Sequence, residues 1–309
     1  MFIENLLSAA TNVGMLYVIV AAGFICDKAG IFTEKTARKT VDLLLYVIVP
    51  CTLVNSFIKI EMNEDTVKKF FISFAVATAT HIIGILLNIP FFRRNKNEDS
   101  PVYKFASIYG NVGFMALPLA QAILGPEGVF YCANGVVVYN IVNFTHGVFL
   151  MSKKKEKVDL KMLINPGTVS LLIGLPIFLL KIKVPYILSQ PVEMLSALNS
   201  PVAMLIFGTY LAHTDLKTMF TDKKIYEVAL LKLIVLPLVC IGAYYLCGVT
   251  GTLLTASIIT ASVPSANNTF MFASKYERNA SLASKIVALV SFLSILTMPV
   301  MIAITQSTY

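Results

Sequence analysis

The side chains with chemistry to offer lie where this chain is otherwise apolar. GNVGFMALP at 110–118 sets Asn111 between Gly110 and Gly113, ahead of Pro118. VPSANNTFMF at 263–272 sets Ser265, Asn267 and Asn268 directly after Pro264. Neutral amides break no bonds; they present N–H donors and carbonyl acceptors. A proline or glycine break beside them frees backbone groups of the same kind. Two broken segments that cross can satisfy part of each other's needs. Their half-helix N-termini then aim partial positive charge at one point, an anion site without a fixed cation. A proline kink with asparagine bonded to a neighbouring helix accounts for either segment alone, less well for both together. Ser262 and Ser265 flank the second break, where they either cap backbone or donate to a carboxylate.

Other polar residues are isolated. VVVYNIVNFTHGVF at 136–149 carries Asn140, Asn143 and His146 at three-residue steps, one drifting helical face that is expected to turn inward. His81 stands alone in an apolar run, and Lys232 lies about two turns inside another. Intramembrane ionisable groups are functional candidates by default. For His81 and His146 a structural hydrogen bond competes with that reading. For Lys232 the alternatives are a snorkelling stem or a fixed cation holding the anion or the crossing. The five cysteines include no CxxC pair, and the three histidines have no carboxylate or cysteine partner at metal-ligand spacing. No Ser/His/Asp set or glycine-rich phosphate loop is present, so neither an enzyme, a metal site nor a cofactor is expected.

The elements positioning these residues follow from composition. The chain is 57% hydrophobic and 14% charged, with mean hydropathy +0.76, far from a soluble domain. Ten apolar runs are long enough to span a bilayer, at about 5–26, 40–58, 67–92, 104–124, 128–151, 164–181, 188–212, 225–247, 251–274 and 280–305. The first is preceded by MFIEN, without a basic region, and reads as a span rather than a signal peptide. Of the 25 Lys and Arg, nineteen fall on one side when loops alternate, and five on the other. That asymmetry predicts a multi-pass protein of the cytoplasmic membrane with both termini outside. The basic loops alternate with spans, so a nucleic-acid partner is excluded and the bilayer is the expected surroundings.

SKKKEKVDLK at 152–161 is the most polar connector and divides the runs five and five. An odd number of spans per half inverts the second half. The division predicted is 1–151, a connector at 152–162, and 163–309. Breakers fall in register: Pro50 and Pro201 in runs 2 and 7, GNVGFMALP and VPSANN in runs 4 and 9. Interrupted segments at matching positions of two repeats point to a transporter site near the midplane.

GNVGFMALPLAQAILG at 110–125, LINPGTVSLLIGL at 163–175, YVIVPCTLVNSF at 46–57 and the stretch from VPSANNTFMF to LTMP at 263–299 together resemble the auxin efflux carrier family. The second proline of the family's segment 6 motif is replaced here by Gly167. The resemblance implies an all-α integral membrane protein of ten transmembrane helices, built as two inverted five-helix repeats with broken, crossing helices 4 and 9. It implies a scaffold of helices 1, 2, 6 and 7, a transport domain of helices 3–5 and 8–10, elevator-type movement and a homodimer. It implies organic-anion cargo such as malate, malonate or auxin-like acids, and a fold similar to bile-acid symporters and NhaA-like antiporters. Asn111 matches the family's segment 4 asparagine and Asn140 its polar position in segment 5. The expected anion contacts are therefore Asn111, Asn140, Ser265, Asn267 and Asn268, with breaks at Gly110, Gly113, Pro118 and Pro264. The coupling ion, H⁺ or Na⁺, stays open: the central thirds of runs 3–5 and 8–10 hold no Asp or Glu. That absence disfavours the alternative of a cation or proton antiporter. The polar residues at both breaks disfavour the other alternative, a non-transporting sensor.

Overall fold

A computed structural model describes residues 2–92, 98–153, 164–213, 219–220 and 222–307. Most of the predicted connector, from 154 onward, lies outside the described residues. The fifteen α-helices among them are α1 (Phe2–Lys28), α2 (Glu34–Leu43), α3 (Val49–Lys59), α4 (Glu64–Phe92), α5 (Ser100–Ile108), α6 (Leu117–Val142), α7 (Val148–Met151), α8 (Pro166–Leu179), α9 (Tyr186–Ala197), α10 (Asn199–Ala212), α11 (Lys223–Leu230), α12 (Leu236–Leu246), α13 (Gly251–Ser262), α14 (Asn268–Lys275) and α15 (Ala280–Gln306). Seven helical stretches among the described residues are long and apolar enough to cross a membrane, and α8 and α13 are shorter apolar helices. The longest stretch, Val112–Met151, is not one rod: Gly125, at φ 65 and ψ −155, interrupts α6 just before Pro126. The architecture is an all-α, multi-span membrane protein.

Most prolines in these spans do not break them. Five-residue π-helical turns at Leu44–Ile48, Val112–Ala116 and Leu231–Val235 each end two residues before a proline: Pro50, Pro118 and Pro237. Proline lacks the N–H and its ring crowds the carbonyl one turn back. Widening that turn by one residue relieves the clash while the helix continues. Gly113 and Pro118 therefore lie inside the helical run that follows the first interruption; the interruption itself is at 109–111.

Close packing fixes the frame. An α-carbon substituent at Gly208 would stand 2.0 Å from the Val20 carbonyl, and one at Gly23 2.3 Å from the Leu205 carbonyl. Helices α1 and α10 thus touch backbone to backbone, as small residues permit between membrane helices. Phe57, Phe70, Phe130 and Phe178 interlock α3, α4, α6 and α8, with Phe130 centred 5.1, 5.2 and 5.0 Å from the other three rings. Backbone cannot rotate aside as a side chain can. Gly208→Leu is expected to lower the detergent melting temperature by about 5–10 °C, from an overpacking cost of roughly 1–3 kcal/mol. A melt within 1 °C of the parent, measured by tryptophan-independent dye assay, would refute the backbone contact.

Candidate functional site

The two interrupted segments, 110–118 and 263–272, meet. Gly110 and Ser265 form an isolated antiparallel bridge. Two backbone bonds flank it: Asn111 N–H donates to Pro264 O at 2.8 Å, and Ala266 N–H donates to Tyr109 O at 2.9 Å. Each interruption thus supplies the partner that the other lacks, which is how non-helical backbone survives at membrane depth. Ser265, wholly buried, donates its hydroxyl to Ala106 O at 2.7 Å in the last turn of α5. It is committed to holding the junction and offers nothing to a ligand in this state.

Past the bridge the two chains turn helical again, α6 by way of its π turn and α14 from Asn268. Asn111 is 4% exposed, yet its Nδ2 has no hydrogen-bond partner. Its carbonyl accepts Met115 N–H at 3.0 Å, and its side chain does not cap the helix it precedes. Nothing stands within 4 Å of where a substituent on Gly113 would project. An unpaired amide donor therefore sits at the start of a half-helix, two residues from open space. Ser262 Oγ and Thr269 Oγ1 are also buried without partners on the opposing segment.

Asn267 and Asn268 are half-buried and differ in use. Asn268 Nδ2 donates to Tyr139 Oη at 3.0 Å, whereas the Asn267 side chain makes no capping bond to α14. Aromatic rings link this end of the junction to the two histidines. Tyr109 Oη donates to Val142 O at 3.1 Å and lies 2.8 Å from His146 Nδ1. The Tyr109 ring packs against Tyr139 and His81 at centroid distances of 6.1 and 6.3 Å. His81 turns Nδ1 back to Ala77 O at 2.9 Å, a local helix bond. Tyr109 was missed in the sequence; its only signal was its place immediately before Gly110–Asn111.

Asn140 lies elsewhere. Its amide donates to Asn165 Oδ1 at 3.0 Å, and Asn165 with Thr168 forms the capping box that starts α8. Position 167 is at the second residue of that helix, where glycine needs no ring to be accommodated. Asn140 joins α6 to α8 rather than to the junction of 110 and 265. Lys232 does not snorkel: it is 2% exposed and donates from Nζ to Ala261 O at 3.2 Å. Among the described residues, no group of three or more His, Cys, Asp or Glu could hold a metal.

The chain matches the family described as membrane transport protein over residues 8–162 and 155–302. It is 24% identical over 256 residues to a protein of Rhizobium meliloti (strain 1021) named for malonate transport, covering 79% of each chain. It is 23% identical over 295 residues to an uncharacterized transporter of Methanocaldococcus jannaschii, covering 91% of this chain and 94% of that one. Auxin efflux carrier component 6 of Arabidopsis thaliana is 32% identical over 149 residues, 47% of this chain and 26% of the plant protein. Matched nearly from end to end, the chain belongs to the membrane transport protein family, a multi-pass transporter of the auxin efflux carrier superfamily and not an enzyme.

Proposed function

We propose that the protein is a secondary transporter of small organic anions, carboxylates of the malate, malonate or auxin-like kind, and that the anion binds where the two interrupted segments meet. The observation that carries this reading is the buried, unpaired Nδ2 of Asn111 at the meeting of the two interrupted segments. An amide N–H is a donor, so its missing partner is an acceptor. Two half-helices begin around it, and helix N-termini favour negative charge. Asn267 and Thr269 are the opposing candidates. The name of the Rhizobium relative supports the same class of cargo.

The wider arrangement is inferred as ten spans in two inverted repeats of 1–151 and 163–309, a plan shared with bile-acid symporters and NhaA-like antiporters. Both termini are assigned outside. Helix α1 packs on α10, and α3 on α8 and α9; α4 and α13 pack on α6, and α13 on α15; α1 on α15 and α3 on α6 are the main contacts between the two sets. The first set is assigned as a scaffold and the second as a moving transport domain, with elevator movement across the α1–α15 and α3–α6 contacts and a homodimer through the scaffold; the family resemblance supports this assignment. A cysteine replacing Ser152, in a background lacking Cys247, is expected to react with impermeant maleimide only after the cytoplasmic face is opened. Labelling in intact cells would reverse the orientation.

The cargo is tested with purified protein in liposomes. Counterflow of radiolabelled malonate, and of a panel of mono- and dicarboxylates competing against it, is the measurement. Saturable counterflow inhibited by other carboxylates is expected. Absence of counterflow by every carboxylate in protein that melts cooperatively would remove the anion reading.

A further inference from the structure

Lys232 is among the largest fully buried side chains of the molecule, and among the described residues no carboxylate lines the cavity beside it. The small cavity at its tip is lined by Thr80, His81, Gly110, Gly135 and Thr260, among other uncharged residues. Its bonded neighbour is a backbone carbonyl, Ala261 O, in the last turn of α13. On the other side is the end of α5: a substituent on Gly110 would stand 2.9 Å from Lys232 Nζ and 3.2 Å from Cε. The ammonium group therefore lies where two half-helices finish, one from each interrupted segment. Helix C-termini expose carbonyl oxygens and carry about half a negative charge each. Two of them balance one ammonium. An unpaired lysine is costly to bury; its bonded partner is the Ala261 carbonyl at the end of α13, and the chain just past α5 passes beside it at Gly110.

We propose that Lys232 is a resident cation: the ends of α5 and α13 form a monovalent-cation site, and the chain fills it with its own side chain. Lys232 is a positioning residue in this scheme. It neutralises the carbonyl ends so that the opposite, N-terminal ends of the same junction remain free to meet an anion. Shortening the side chain leaves the carbonyl ends in place and opens the site to a small primary ammonium ion or an alkali cation. The inference rests on the helix ends and not on the identity of the cargo.

The test is a thermal melt of purified protein with no carboxylate present. Lys232→Ala is compared in ethylammonium chloride, sodium chloride and N-methyl-D-glucamine chloride at equal ionic strength. The variant is expected to gain about 2–4 °C in ethylammonium, saturably and over N-methyl-D-glucamine, which is too large to enter. The parent is expected to melt at one temperature in all three salts. A variant indifferent to ethylammonium overturns the proposal, as does a saturable rise with sodium in the parent. If Lys232→Ala is not recovered folded from either membrane extract, the parent arm still decides, and recovery only when ethylammonium is present throughout purification supports it. A merely structural role would not produce rescue by one amine and not by the other. Because no carboxylate enters the assay, failure of the anion screen leaves this result standing.

Discussion

Gly110→Val is expected to abolish the function and to destabilise the fold together. Gly110 sits at the bridge itself, and an added β-carbon would lie 2.8 Å from Val263 Cγ2 and 2.9 Å from Lys232 Nζ. Val263 is wholly buried between the bridge and α13, and the Lys232 tip could move only by giving up its bond to Ala261 O. Valine adds two further methyl groups to this crowded position. The segments must part, and the bonds Asn111 N–H to Pro264 O and Ala266 N–H to Tyr109 O are lost. A buried donor or acceptor left unpaired costs about 1–3 kcal/mol. Opening two bonds exposes four such groups, so a loss of at least about 4 kcal/mol is expected, a factor of roughly a thousand in the folded equilibrium. Gly110→Ala, with one methyl, should fall between valine and parent. Fluorescence-detected size exclusion and detergent melts give the readout; a valine variant that elutes and melts like the parent would show that the bridge carries little of the stability.

Hydropathy made the helices legible, and Asn–Pro composition made the two interruptions legible, because both depend on local physics. Lipid demands apolar length, and a broken helix demands partners. What stayed hidden depends on three-dimensional neighbours. Pro118 and Pro264 are the same letter with opposite consequences. Pro118 is absorbed by a widened turn at Val112–Ala116, while Pro264 lies in non-helical backbone whose carbonyl accepts from Asn111. Sequence states that a donor is missing but not whether the preceding turn can open to spare it. Ser265 reads as a free hydroxyl until Ala106 O is seen 2.7 Å away, 159 residues distant in the chain. Asn140 reads as a polar position on an inward face, and inward it is, but toward the cap of α8. For Lys232 the sequence gives depth along the helix, which leaves a snorkelling stem and a fixed cation both open; only the structure shows the ammonium inside, bonded to Ala261 O at the end of α13. Tyr109 carried no signal of its own, because an aromatic in an apolar run is the ordinary filling of a core.

Asn111→Ala is expected to weaken anion binding by roughly tenfold to a hundredfold while leaving the protein folded. The backbone of Asn111 makes the structural bonds, through N–H to Pro264 O and through its carbonyl to Met115, and alanine keeps both. The side-chain Nδ2 has no partner to lose, so deleting it should cost the empty protein little and relieve a buried unpaired donor. The loss falls on the complex. A hydrogen bond to a charged group contributes about 1.5–3 kcal/mol, and 1.4 kcal/mol is a factor of ten in affinity. Asn111→Asp separates charge from shape. It has nearly the same volume and removes the donor, and when ionised it sets a carboxylate where the cargo's carboxylate is to lie. It should bind anions more weakly than alanine does. Malonate counterflow and isothermal binding of the three proteins, each checked by its melt, decide the case. Parent-like malonate affinity in both variants would make the junction purely structural and move the cargo site elsewhere. Cation uptake gained by Asn111→Asp would overturn the anion reading and favour an antiporter. An asparagine with nothing to hold in the empty protein, and a donor placed at the opening of two helices, is what a site for a transient acceptor requires.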